Sequence, residues 1–134
     1  MRKPIKILLV EDEAYTALSL AGELRESGYD VLEPAASGEE AVLLEEKENP
    51  DIIFMDIRLA GEMDGVEAAR RIRARRDVPI VYMTGYAGGG GEKTAGEPNP
   101  AAYLVKPVQM SHLNEVIRSI FGNDGGAPGT RGRP

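Results

Sequence analysis

Apolar positions along this chain follow two alternating rhythms. Short runs rich in Ile and Val occupy 5–10, 52–55, 79–83 and 103–105, each bounded by charge, Gly or Pro, and a weaker run covers 31–35. Runs of this length suit strands buried on both faces. Between them the spacing becomes helical: Ala14, Ala17, Leu18, Ala21 and Leu24 predict an inward stripe stopped by Gly28. Ser37 with Glu40 three residues later reads as a capping box for a helix reaching about Lys47. Asp64 predicts the cap of a helix over 65–75, and Leu113, Val116, Ile117 and Ile120 predict the inward face of a last helix ended by Gly122. Strands separated by helices predict an α/β fold, with a parallel, doubly wound sheet and right-handed crossovers.

Two stretches break the rhythm. Segment 87–100 stands where a fourth crossover helix belongs, yet it holds Gly88-Gly89-Gly90-Gly91, Gly96, Pro98 and Pro100. An interior Gly costs a helix about 1 kcal/mol and a Pro about 3. At most one turn, near 92–95, is expected, so the fourth helix is short, missing or formed in one state only. The run 122–134 is too rich in Gly and Pro to bury a core, and reads as a disordered tail or linker stub after a domain of 1–121.

Composition narrows the function. The 134 residues are 42% hydrophobic and 28% charged, one domain's worth of chain. A net charge of -6 argues against broad attraction to nucleic acid or to an anionic membrane. The basic cluster Arg70, Arg71, Arg73, Arg75 and Arg76 lies where a helix C-terminus favours cations, so it reads as a solvated face. There is no cysteine, and no stretch has the length of a membrane span or signal peptide. A reducing cytoplasm is the expected setting. Met55 and Met83 read as core filling, and His112 as an exposed helix residue.

The chemistry gathers at the ends of the apolar runs. Glu11-Asp12 closes the first, Asp56 the second, Thr84 the third and Lys106-Pro107 the fourth. In an open parallel sheet the C-terminal strand ends share one edge, so these residues are expected in one crevice. Three carboxylates in close company resist joint ionisation unless a cation neutralises them. A hard divalent metal such as Mg²⁺ suits such oxygens, leaving one carboxylate to react.

In this order the motifs closely resemble those of the receiver domain of bacterial two-component response regulators, over about residues 5–121. The resemblance implies a flavodoxin-like, five-stranded parallel sheet of order 2-1-3-4-5. It implies that Asp56 is the phosphoacceptor, attacking a phosphohistidine to form an acyl phosphate. Asp12, Asp56 and the backbone carbonyl of Arg58 are then Mg²⁺ ligands, with Glu11 acting directly or through a water. Lys106 places its ammonium on the phosphoryl group, or on Asp56 in the resting state, and Thr84 donates its hydroxyl to a phosphoryl oxygen. Thr84 and Tyr103 form the switch, and the Lys106-Pro107 bond is cis. The implied partners are a sensor histidine kinase or phosphotransfer protein, an output protein and, on phosphorylation, a second copy.

Departures from the pattern matter too. Glu11-Asp12 stands where Asp-Asp is commoner, and the loop 57–65 is longer than usual. Thr84-Gly85-Tyr86 followed by a Gly run resembles stand-alone receivers with a degenerate fourth helix. One rival is a Mg²⁺-dependent aspartyl phosphatase; such enzymes carry a second Asp two residues after the nucleophile, where this chain has Arg58. Another is a receiver cut from a longer regulator or hybrid kinase, with 122–134 starting a linker. The expected chain is no enzyme beyond self-catalysed phosphotransfer and autodephosphorylation.

Overall fold

A computed structural model describes residues 3–85 and 100–122. The expectations of a degenerate helix within 87–100 and of a disordered tail fall almost wholly outside the described residues. In chain order the elements are β1 (Lys6–Val10), α1 (Ala14–Glu26), β2 (Asp30–Val31), α2 (Gly38–Glu48), β3 (Ile52–Asp56), α3 (Gly65–Arg75), β4 (Ile80–Thr84), β5 (Ala102–Val105) and α4 (Met110–Phe121). The strands form one parallel sheet in the order β2-β1-β3-β4-β5.

Both faces of β1, β3 and β4 are covered, which is why these strands read as continuous apolar runs, whereas β5 is half-exposed. Ile7 and Leu9 of β1 face a cluster with Leu20, Ala21 and Leu24 of α1 and Leu113 and Ile117 of α4. Their neighbours Leu8 and Val10 face the opposite cluster, with Ala41 of α2 and Val66, Ala69 and Ile72 of α3. Val116 and Ile120 pack against the first cluster as partly buried residues.

Helix ends follow local chemistry. Gly28 adopts φ +100°, and around it Tyr29 N–H donates to Leu24 O and Gly28 N–H to Arg25 O, a Schellman closure of α1. Ser37 Oγ accepts from Glu40 N–H at 3.1 Å, while Glu40 reaches back to Ala36 N–H at 2.7 Å. Asp64 accepts from Glu67 N–H at 2.9 Å and caps α3.

Three expectations need correction. The weak strand over 31–35 is only the two residues of β2 plus a single bridge from Ala35 to Val10. Asp30 N–H donates to Ile5 O and Leu32 N–H to Ile7 O, so residue 34 is next in the ladder; Pro34 has no N–H, and Ala35 takes Leu9 O instead. Arg25 Nη2 also donates to the Val31 carbonyl on this edge strand, at 3.1 Å. Leu18 is 60% exposed and Ala14 is exposed too, and Leu20 takes the inward position with Ala17, Ala21 and Leu24 at i, i+3, i+4 and i+7. The arginine cluster, finally, is not all solvated face. Arg75 Nη2 and Arg76 Nε reach Glu45 Oε1 and Oε2 of α2 at 2.5 and 2.6 Å, and Glu45 is buried.

Candidate functional site

The C-terminal strand ends bring the polar quartet together. β1 and β3 are adjacent, so Glu11 and Asp12 emerge beside Asp56; Asp56 pairs in register with Met83, one residue before Thr84, and Thr84 with Val105, one residue before Lys106. Carboxylate oxygens of Glu11, Asp12 and Asp56 lie within 4.8 Å of one another. Glu11 and Asp56 are buried and Asp12 is exposed.

Backbone donors hold each carboxylate. Glu13 N–H donates to Glu11 Oε2 at 3.1 Å, Arg58 N–H to Asp56 Oδ1 at 3.1 Å, and Ala60 N–H to Asp12 Oδ2 at 2.9 Å. Lys106 Nζ donates to Asp56 Oδ2 at 2.8 Å and lies 3.0 Å from Glu11 Oε1, at ion-pair distance but off the hydrogen-bond line. The backbone N–H of Lys106 donates to Thr84 O at 2.7 Å, and the Lys106-Pro107 bond is cis.

Among the described residues the charges do not balance: three carboxylates cluster around one ammonium. Burial, reinforced by the Asp56 charge, pushes the Glu11 carboxyl above the usual carboxylate range despite the opposing pull of Lys106 and the Glu13 N–H. Burial alone would lower Lys106, but its contacts with Asp56 and Glu11 outweigh it and raise the ammonium's pKa. Among the described residues, buried Glu11 Oε1 has no hydrogen-bond partner, and its charged neighbour is the ammonium it shares with Asp56. A buried carboxylate oxygen whose ammonium is shared with a second carboxylate, set among hard oxygen donors, fits a divalent cation such as Mg²⁺.

Beside the site a cavity of about 650 Å³ runs between α1 and the segment joining β5 to α4, with Leu20, Met83, Val108 and Met110 on its walls and Glu11 and Lys106 at its end. Tyr103 is 43% exposed and stacks on buried Tyr82, with ring centroids 5.9 Å apart.

Two features of the site went unread in the sequence. A Cβ at Gly65 would lie 2.0 Å from the Asp56 carbonyl oxygen, so only glycine lets α3 start so close to the end of β3. Glycine directly after the cap Asp64 was the available signal. The Ala60 N–H had none, because a backbone donor carries no side-chain identity.

The chain matches the family described as response regulator receiver domain over residues 7–118. The transcriptional regulatory protein PdtaR of Mycobacterium tuberculosis is 39% identical over 114 residues, covering 85% of this chain and 55% of that protein. The positive alginate biosynthesis regulatory protein of Pseudomonas aeruginosa is 38% identical over 119 residues, covering 85% of this chain and 46% of its own length. This chain thus spans about half the length of these curated relatives. Among solved structures, the receiver domain of a sensor histidine kinase from Pseudomonas aeruginosa PAO1, with a magnesium ion coordinated in its active-site cleft, superposes with a TM-score of 0.78 at 33% identity. The match covers 87% of this chain and 97% of that one.

Proposed function

The chain belongs to the response regulator receiver domain family, and from that premise we propose that it is a phosphoacceptor switch. Asp56 takes a phosphoryl group from a phosphohistidine of a sensor histidine kinase or phosphotransfer protein, and the phosphorylated chain signals to a protein partner. The observation that carries this reading is the setting of Asp56: 3% exposed at the end of β3, bonded to Lys106 Nζ and clustered with Glu11 and Asp12.

In the proposed reaction an Asp56 carboxylate oxygen attacks phosphorus while the phosphorus–nitrogen bond breaks, and the departing histidine ring keeps that electron pair. Glu11, Asp12, Asp56 and the Arg58 carbonyl would hold Mg²⁺, which when bound neutralises charge on the phosphoryl oxygens. Lys106, already 2.8 Å from Asp56, then acts as a point charge on the same oxygens. Thr84 donates its hydroxyl, and Tyr103 leaves its half-exposed position as Thr84 moves, turning a charge event into a surface change. The cavity beside Lys106, with 81% exposed Tyr15 in its lining, offers the donor protein a footing next to the phosphoacceptor.

Incubation with acetyl phosphate or a phosphorylated kinase, with Mg²⁺, should add one phosphoryl mass to the wild-type chain and none to Asp56→Asn. Full labelling of that variant at an acid-stable residue overturns the assignment.

A further inference from the structure

We infer that Ala60 is a positioning residue for the metal centre, its N–H holding Asp12 in the ligating arrangement. The inference rests on the reading of Glu11, Asp12 and Asp56 as metal ligands. Two of the three are buried and fixed from several sides: Glu11 beside Lys106 and the Glu13 N–H, Asp56 by Lys106 and the Arg58 N–H. Asp12 is exposed, and a free carboxylate there would sample several rotamers, each a loss of ordering to be made up when a cation binds. Its anchor comes from 48 residues away, across the cleft: Ala60 N–H to Oδ2 at 2.9 Å.

The loop after Asp56 is built to bring that donor into place. Arg58 N–H ties its start to Asp56, Gly61 turns the chain away with φ +100° directly after Ala60, and Gly65 N–H closes the far end on Ile57 O at 2.9 Å. The length of the loop 57–65 therefore sets where the Ala60 N–H falls. Each of the three carboxylates then commits one oxygen to a backbone donor. Partners that orient ligands in this way govern metal affinity.

The test replaces the Ala60 amide by an ester, through semisynthesis with lactic acid at position 60, which removes one hydrogen-bond donor and little else. Mg²⁺ affinity is measured by calorimetry in the wild-type and Asp12→Ala backgrounds. The ester should weaken Mg²⁺ binding about tenfold in the wild-type background and add nothing once Asp12 is gone. Ala60→Ser, which keeps the N–H, should bind as wild type does. Unchanged affinity of the ester, or the same loss in both backgrounds, overturns the role of Ala60 and leaves the metal site standing. A wild-type chain that binds no Mg²⁺ overturns both.

Discussion

Glu11 and Glu45 are both buried glutamates, 2% and 1% exposed, and they are treated in opposite ways. Glu45 has each carboxylate oxygen on a guanidinium, from Arg75 and Arg76, and Arg76 also donates to the Pro50 carbonyl at 2.5 Å. Glu11 shares one ammonium with Asp56, and among the described residues its Oε1 has no hydrogen bond. One carboxylate is saturated and ties α2 to the end of α3; the other has only a shared ammonium at the strand ends. A buried charge with all its partners can only hold its neighbours, whereas one short of partners retains affinity for a cation that comes and goes.

The comparison breaks first at Asp56. Asp56→Asn should abolish acid-labile labelling by acetyl phosphate, while Glu45→Gln should label at the wild-type rate, both read by mass spectrometry. Equal loss in both variants would erase the distinction between a reactive and a structural carboxylate.

Gly65→Ala is expected to damage site and fold together, since its Cβ would meet the Asp56 carbonyl. Overpacking of this kind costs about 1–3 kcal/mol or more, measurable by urea unfolding, and labelling should slow as the end of β3 shifts. Glu45→Ala should cost about 1–3 kcal/mol, at or below the usual range for breaking a buried pair because both guanidiniums reach solvent. That loss should appear without any change in Mg²⁺ affinity.

A subtler difference lies in pH. The folded-state pKa of Glu11 is raised, so its contribution to stability is full below the unfolded carboxylate value and is lost as pH rises through the raised folded value. Without metal, the unfolding midpoint should therefore lose this contribution as pH climbs above the ordinary glutamate range, and Glu11→Gln should flatten that part of the profile. Mg²⁺, which needs the ionised carboxylate, should stabilise more strongly over the same rise. The smallest effect belongs to an exposed ion pair: Glu67, bridged to Arg70 and Arg71 on the surface of α3, should tolerate Glu67→Gln with no resolvable shift in midpoint.

How much of this could be read in advance depended on the range of the interaction. The strand-end quartet was legible because each member directly follows an apolar run, and parallel topology does the rest. Caps at Ser37 and Asp64 and the closure at Gly28 are equally local. Leu18 and Leu20 were confused because both stand near the stripe, and only packing against the sheet decides its centre. Glu45 sits at helical spacing from Ala41, on the buried side of α2, but its partners are 30 and 31 residues away. Nothing local marks that pairing. The Ala60 N–H and the tight fit at Gly65 depend on backbone meeting backbone or side chain across the cleft, which residue identity scarcely encodes.

The slip at Pro34 has a consequence for how this molecule keeps company with copies of itself. An edge strand is an open row of donors and acceptors on which a neighbouring chain can grow. β2 itself lasts only two residues, because Pro34 breaks the pairing that would have carried it on along β1; on its open side Arg25 occupies the Val31 carbonyl, and the exposed Asp30 and Glu33 add negative charge. A sheet whose interior strands are apolar on both faces thus ends, on this side, in a surface that gives fibril-like stacking almost no template.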